Sequence, residues 1–315
     1  MDTQNKRWTT IVLGSLLMVA SSGCTAMEAS APPSTSSTAS TAPADSALQT
    51  ALGELEDQYD ARIGLSVTDT ADGSTLNYQG DSRFGYASTL KTLAAAALLD
   101  RTTPEQLDRV ITWSEADVLE SGYSPVTSEH IDTGLPLGDV AMAAMRASDN
   151  TAMNLMLKQF GGTAGLDKIL EDYGDNLTDV VDNEPGLNTV TTDNAANTST
   201  PRAFTKTLER IMSGEILDDA DRSTLIDWMT GNATGDTLIR AGVPEGWEVA
   251  DKSGGAGAIR NDVAVVIPPD GIPVIITVFT TRNNPDAKYD DALVAETARL
   301  ALATIAAARE NRQPA

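Results

Sequence analysis

The sequence contains a single histidine and a single cysteine, and aromatic residues make up only 4% of its 315 residues. One histidine excludes zinc sites built from several imidazoles, and one cysteine excludes both an internal disulfide framework and a zinc ribbon. Basic residues are also scarce, because 22 lysines and arginines stand against 45 aspartates and glutamates, which gives a net charge of −23. A surface so negative repels phosphate backbones, so we expect no nucleic-acid partner. We also expect neither a metal site nor a cofactor.

The first 23 residues have the features of an export signal. Lys6 and Arg7 precede the uncharged run 11–20, and the small residues 21–23 follow it. The apolar run is too short to span a membrane comfortably, so we expect residues 1–23 to be a signal peptide.

Cys24 follows this segment directly, and the junction resembles a bacterial lipobox. In a lipobox the cysteine is acylated with diacylglycerol and becomes the new N-terminus. Ser21 stands where the motif usually has an aliphatic residue, so an ordinary secreted protein with an incidental Cys24 is the alternative. Residues 24–45, rich in serine, threonine, alanine and proline, offer no apolar face, which predicts a flexible tether. The expected location is therefore the cell membrane, through a lipid anchor, or the secreted or periplasmic space.

Strand-like patterns lie at both ends of the remaining chain, and helical patterns fill its middle. The predicted elements are a helix over 46–59, two strands within 63–80, strands at 247–251, 261–268 and 273–281, and a final helix over 287–309. These patterns predict an α+β fold with an antiparallel sheet of about five strands, flanked by N- and C-terminal helices. We expect one domain over 46–315, in which 46–85 and 230–315 form an α/β lobe and 86–229 an inserted all-helical lobe.

Residues 84–99 (FGYASTLKTLAAAALL) are predicted to form a buried helix with one charge near its start. Ser88 lies three residues before Lys91, so a helix brings the hydroxyl and the amine to one face, where the positive end of the helix dipole lies. Burial lowers the pKa of a lysine, and a neutral Lys91 could activate Ser88 as a nucleophile. The alternative is a serine that caps the helix and a lysine that extends to water.

Three further motifs follow, each once: Ser148-Asp149-Asn150, residues 184–188 (EPGLN) and Lys252-Ser253-Gly254. Together with Ser88-x-x-Lys91 they stand in the order of the class A β-lactamases, and the chain resembles that family over about residues 46–310. The resemblance implies a β-lactamase/transpeptidase-like fold. It also implies hydrolysis of the amide bond of penicillins and cephalosporins through a serine acyl-enzyme, which confers β-lactam resistance.

The resemblance also implies a role for each motif residue. Ser88 would attack the lactam carbonyl, with Lys91 and Ser148 moving protons, and Glu184 would activate the water that removes the acyl group. The substrate contacts that it implies are made by Asn150, Asn188, Lys252, Ser253, Gly254, Gly255, Tyr123 and Arg260. Among them Gly255 shares the oxyanion hole with the Ser88 backbone, Asn188 holds the water, and Tyr123 forms a wall of the pocket.

Glu184 decides between three functions that share the chemistry of Ser88. A D-alanyl-D-alanine peptidase and a non-hydrolytic penicillin-binding lipoprotein also become acylated, but they lack a carboxylate that removes the acyl group. A glutamate with an amide four residues later can hold and activate a water. The leading hypothesis is therefore a β-lactamase, which we expect to act as a monomer.

One pair of residues departs from the family pattern. Most members have an arginine two residues before the glutamate and an aspartate thirteen after it, and their ion pair holds the loop between them. Here those places hold Asp182 and Asn197, which cannot form an ion pair. The Asn197 amide can instead donate a hydrogen bond to the Asp182 carboxylate.

Overall fold

The structure is a computed structural model, and it describes residues 42–191 and 194–312. A five-stranded antiparallel sheet lies at the centre of the described fold. The strands of the described chain are β1 (Ala61–Asp69), β2 (Ser74–Tyr78), β3 (Phe84–Gly85), β4 (Val110–Ile111), β5 (Leu135–Pro136), β6 (Thr198–Ser199), β7 (Glu248–Ala256), β8 (Ile259–Ile267) and β9 (Val274–Arg282). The central sheet has the order β2-β1-β9-β8-β7, so strands from the two ends of the domain pair side by side. The expected signal peptide 1–23, Cys24 and the tether up to residue 41 lie outside the described residues.

Helices cover both faces of this sheet. They are α1 (Ala42–Tyr59), α2 (Leu90–Arg101), α3 (Pro104–Leu107), α4 (Glu115–Ser121), α5 (Leu137–Arg146), α6 (Asn150–Gln159), α7 (Thr163–Asp172), α8 (Pro201–Met212), α9 (Asp219–Thr230), α10 (Ile239–Gly242) and α11 (Asp291–Arg312). Short 3₁₀ turns occur at Ala87–Thr89, Thr127–Glu129 and Gly186–Asn188. None of the described helices has both the length and the apolar run needed to cross a bilayer.

Strand β9 shows why the sheet is covered on both sides. Its side chains alternate between two hydrophobic cores: Val274 and Val278 pack with α1 and α11, whereas Ile275 and Phe279 pack with the helices between β2 and β7. Full burial of each such side chain contributes about 1.5–3 kcal/mol. The expectation of an α+β fold with a five-stranded antiparallel sheet and flanking terminal helices is confirmed.

Several predicted boundaries were wrong. The strand predicted to end at residue 251 continues as β7 to Ala256, because pairing with β8 overrides the weak strand propensity of the glycines. Helix α11 begins at Asp291 rather than 287, where the Asp290 carboxylate accepts a hydrogen bond from the Ala292 amide (3.0 Å). Helix α1 begins at Ala42, inside the predicted tether 24–45, with Asp45 in its first turn, where a carboxylate is favoured.

The predicted helix over 84–99 also starts later than expected. Its first two residues form strand β3, which pairs with β6, and α2 proper begins only at Leu90. Helix α8 lies within the predicted helical lobe 86–229, yet it packs on the sheet, where Thr205 Oγ1 donates to Thr277 Oγ1 (2.8 Å).

Candidate active site

Ser88 lies in the tight turn that joins β3 to α2. The turn is a 3₁₀ helix, and Ala87 before the serine has a φ of 47°, a left-handed conformation that is rare for alanine. Gly254 of β7 lies against this turn, since a Cβ on it would come within 3.1 Å of the Ser88 nitrogen. A Cβ at this distance would be tighter than an ordinary van der Waals contact, so glycine suits the close approach of the two backbones. This approach brings the Ser88 amide beside the strand that carries Gly255.

Lys91 is completely buried in the first turn of α2. Its Nζ lies close to four oxygens, which are Ser88 Oγ (2.9 Å), Ser148 O (2.9 Å), Asn150 Oδ1 (2.8 Å) and Glu184 Oε1 (2.9 Å). Burial lowers the pKa of Lys91, while the negative charge of Glu184 opposes that shift. The amine therefore contacts the nucleophile and can exchange a proton with it.

Glu184 connects the nucleophile to Asn188. Its Oε1 accepts a hydrogen bond from Ser88 Oγ (3.3 Å), and its Oε2 accepts one from Asn188 Nδ2 (2.6 Å). Glu184 is only 2% exposed, and Asn188 Oδ1 is buried without a protein partner in the described chain. A water beside Glu184 could donate to that oxygen, so the pair can hold and deprotonate a water next to Ser88.

The Ser148 hydroxyl lies between two amines. Lys91 Nζ is 3.4 Å from Ser148 Oγ, and Lys252 Nζ is 3.2 Å from it on the other side. Lys252 is fully buried in β7, and burial together with the nearby positive charge of Lys91 lowers its pKa to about 7. An amine with a pKa near neutrality can both give and take a proton, which fits Ser148 to a relay.

The other predicted substrate contacts line the rim around β7. Ser253 Oγ is 2.5 Å from Thr234 Oγ1, so its hydroxyl is held in place. Arg260 lies opposite Gly255 in the sheet, and its guanidinium donates to Asp291 Oδ1 (2.7 Å) and stacks on the Tyr289 ring. The Arg260 side chain is therefore positioned beside Gly255 of β7.

Two residues come from the mainly helical segment between β2 and β7. Tyr123 is 61% exposed, and its backbone oxygen accepts a hydrogen bond from the Asn150 amide (2.8 Å). The Asn150 side chain accepts from Lys91 and donates to Ser121 O (3.1 Å). One amide hydrogen of Asn150 remains for a substrate.

Sequence reasoning missed Asn154, which holds the backbone of Glu184. Its Oδ1 accepts from the Glu184 amide (2.8 Å) and its Nδ2 donates to the Glu184 carbonyl (2.9 Å). Asn154 lies four residues after Asn150 on α6, so the helical period places both amides on one face. The spacing of four residues between the two asparagines could therefore have predicted Asn154 as a site residue from the sequence.

The loop that carries Glu184 is closed at its base by Asn197. The predicted hydrogen bond is present, since Asn197 Nδ2 donates to Asp182 Oδ2 (2.8 Å). Asn197 Oδ1 also accepts from the backbone amides of Val181 (3.3 Å) and Asp182 (3.1 Å). Asn197 is 1% exposed and Asp182 is exposed, so a buried amide holds a surface carboxylate.

Known proteins are similar to this chain in sequence and in fold. A family model described as the Beta-lactamase enzyme family matches residues 46–305. A beta-lactamase of Amycolatopsis lactamdurans is 46% identical over 264 residues, which cover 84% of this chain and 87% of that protein. Beta-lactamase 3 of Bacillus cereus is 44% identical over 256 residues, covering 81% of this chain and 80% of that one.

Solved structures agree with these sequence matches. A class A beta-lactamase from Clostridium kluyveri DSM 555 superposes with a TM-score of 0.80 at 40% identity, covering 82% of this chain and 98% of that chain. A halotolerant bacterial beta-lactamase superposes with a TM-score of 0.79 at 39% identity, covering 81% and 98%.

Proposed function

The chain belongs to the class A branch of the β-lactamase enzyme family, and we propose that it hydrolyses the β-lactam amide of penicillins and cephalosporins, with Ser88 as nucleophile and Glu184 as the base of deacylation. The observation that carries these roles is the contact of Glu184 with both Ser88 Oγ (3.3 Å) and the amide of Asn188 (2.6 Å). A carboxylate in that position can serve the water that attacks an ester on Ser88. Such hydrolysis would make the cell resistant to these antibiotics.

Acylation begins when Ser88 Oγ loses its proton to the buried pair of Lys91 and Glu184 and attacks the lactam carbonyl carbon. The backbone amides of Ser88 and Gly255 stabilise the oxyanion. When the oxyanion collapses, the carbon–nitrogen bond of the ring breaks and Ser148 gives its proton to the departing nitrogen. Ser148 then regains a proton from Lys252 or Lys91. The substrate carboxylate is bound by Lys252 and Ser253.

Deacylation uses the carboxylate of Glu184 as a general base. A water held by Glu184 and Asn188 gives a proton to Glu184, and its oxygen attacks the ester carbon on Ser88. The ester bond to Oγ then breaks, Ser88 recovers the proton, and the ring-opened acid leaves. Arg260, beside β7, and Tyr123, in the helical segment, contribute to substrate binding. All of these residues belong to one chain, which suits a monomer.

Mass spectrometry of the purified protein mixed with a penicillin tests this function. We expect a short-lived adduct of the intact penicillin mass on Ser88, accompanied by accumulation of the ring-opened acid. A stable adduct without product would instead support a D-alanyl-D-alanine peptidase or a non-hydrolytic penicillin-binding lipoprotein.

We also propose that the enzyme is exported and held at the membrane by a lipid on Cys24. The charge, length and small residues of 1–23 support export, and the single cysteine directly after them supports acylation. Cys24→Ala should therefore release the enzyme from the membrane fraction into the medium or periplasm with its specific activity unchanged. Fractionation followed by a hydrolysis assay measures this, and unchanged membrane association would show that another anchor exists.

Loss of the Asn197 side chain should slow deacylation more than acylation. Asn197→Ala removes the hydrogen bonds to Asp182 at the base of the loop, so the water at Glu184 is misplaced while Ser88 stays reactive. A hydrogen bond to a charged group contributes about 1.5–3 kcal/mol, and the exposure of Asp182 favours the lower end of that range. A loss of about 1.5 kcal/mol corresponds to a deacylation rate that is about tenfold lower.

Rapid mixing with a chromogenic β-lactam separates the two rates for Asn197→Ala. The double variant Asp182→Arg with Asn197→Asp replaces the hydrogen bond by an ion pair and should restore deacylation. Equal effects of Asn197→Ala on both steps, or no effect on either, would show that this pair does not hold the loop.

A further inference from the structure

We propose that Tyr86 is a positioning residue that couples the turn of the nucleophile to the loop of the deacylating base, through the contact of its hydroxyl with the base of that loop. The inference rests on the proposed role of Glu184. The tyrosine stands two residues before Ser88 in the chain, and its hydroxyl reaches a segment more than ninety residues away.

The backbone of Tyr86 belongs to the nucleophile turn. Its carbonyl accepts hydrogen bonds from the Thr89 amide (3.2 Å) and from Thr89 Oγ1 (2.6 Å), which closes the turn around Ser88. The same carbonyl faces Gly254, where a Cβ would come within 3.0 Å of it. A displacement of Tyr86 therefore displaces the turn that presents the nucleophile.

The side chain of Tyr86 is fully buried and ends at the base of the loop. Its hydroxyl donates to the backbone carbonyl of Asp179 (3.1 Å) and lies 3.4 Å from Asn197 Oδ1. Burial and the negative charge of nearby acids, Asp179 first among them, raise the pKa of Tyr86 well above its ordinary value. The hydroxyl therefore keeps its proton and stays a donor throughout the working pH range.

Asp179 and Asn197 are the two residues at which the loop closes. The backbone amide of Asn197 donates to the Asp179 carbonyl (3.0 Å), and the backbone amide of Asp179 donates to the Thr198 carbonyl (3.0 Å). The backbone carbonyl of Asp179 accepts hydrogen bonds from both the Tyr86 hydroxyl and the Asn197 backbone amide. The Tyr86 hydroxyl therefore contacts both residues at which the loop closes. Asn197 in turn holds Asp182, which stands two residues before Glu184. The contacts thus run without interruption from the nucleophile turn to the segment of the base.

Replacement of the hydroxyl isolates this coupling. Tyr86→Phe keeps the ring that fills the core. It leaves the buried acceptor Asp179 O satisfied, because that oxygen still accepts from the backbone amide of Asn197. A tyrosine with only a packing role should therefore tolerate the change. If the hydroxyl positions the loop, its loss should slow the step that depends on Glu184 and spare the step that depends on Ser88.

The test measures acylation and deacylation of Tyr86→Phe with a penicillin by rapid quenching and mass spectrometry. We expect deacylation to slow about three- to tenfold, the change expected for one hydrogen bond of ordinary strength, with acylation within about twofold of wild type. The control is Tyr78→Phe, which removes a hydroxyl that donates to Glu56 Oε2 (2.7 Å) between β2 and α1 and should alter neither rate. Wild-type deacylation in Tyr86→Phe, or an equal loss in both steps, would overturn the proposal.

A second measurement separates coupling from a general loss of packing. In the double variant Tyr86→Phe with Asn197→Ala, the slowing of deacylation should be smaller than the product of the two single effects, since both act on one closure. A full product would show that Tyr86 acts independently of the loop. Glu184→Ala serves as the reference. Wild-type deacylation in Glu184→Ala would reject the proposed function itself. Arrested deacylation in Glu184→Ala, together with wild-type deacylation in Tyr86→Phe, would reject only the role of Tyr86.

Discussion

Ser88→Ala is expected to abolish both β-lactam hydrolysis and covalent adduct formation while the fold stays intact. The change removes the only atom that the mechanism joins to the substrate, so no residual route through an acyl-enzyme remains. Loss of the nucleophile of a serine hydrolase costs on the order of 10⁶-fold in kcat. The rate of product formation should therefore fall by about that factor.

The surroundings of Ser88 explain why folding should survive. Lys91 loses its contact with Ser88 Oγ and keeps those with Ser148, Asn150 and Glu184. The turn itself is closed by Tyr86 and Thr89, which the substitution does not touch.

Hydrolysis assays, mass spectrometry and thermal unfolding of Ser88→Ala measure these expectations. Ser223→Ala is a matched control, because Ser223 is an exposed serine on α9 whose hydroxyl only bonds within its own helix. A covalent penicillin adduct on Ser88→Ala would defeat the assignment of the nucleophile.

The sequence predicted which residue types meet at the site better than it predicted how they meet. Ser88 and Lys91 are three residues apart, so helical geometry was enough to bring their side chains together. Glu184 and Ser88 are 96 residues apart, and no periodicity links them. The loop that brings Glu184 to Ser88 is held by the hydrogen bonds of Asn197 to Asp182 and of Asn154 to the Glu184 backbone, which are tertiary interactions. Only the family resemblance could assign Glu184 a role before the structure was known.

The fold shows the same division between local and distant information. Alternating apolar residues were enough to predict strands at both ends of the domain, and their antiparallel pairing followed from the architecture. The order β2-β1-β9-β8-β7 places β1 beside β9, with Ala61 opposite Arg282, and local pattern carries no information about such a pairing. The end of β7 was missed for a related reason, since its glycines become strand only through pairing with β8.

The buried charges of the site determine what the loss of Glu184 should do. Glu184 Oε1 lies 2.9 Å from Lys91 Nζ, and burial lowers the pKa of both Lys91 and Lys252. Glu184 is the main influence that raises the pKa of Lys91. Without Glu184 the Lys91 pKa falls further, and a larger fraction of the amine is neutral at pH 7. A neutral amine 2.9 Å from Ser88 Oγ can accept the serine proton.

Glu184→Ala should therefore still become acylated and should then accumulate the acyl-enzyme. Lys91 takes over the proton of Ser88 during acylation, whereas no other described carboxylate lies beside Asn188 to deprotonate the water. Loss of a general base slows its step by about 10²–10⁴-fold, so product formation should stop after about one equivalent per enzyme. Intact-protein mass spectrometry over time should show a persistent adduct, and Glu245→Ala, which removes an exposed glutamate, should turn over like wild type. Wild-type turnover in Glu184→Ala would mean that Glu184 is not the deacylating base. The absence of any adduct would mean that Glu184, rather than Lys91, accepts the proton of Ser88 during acylation.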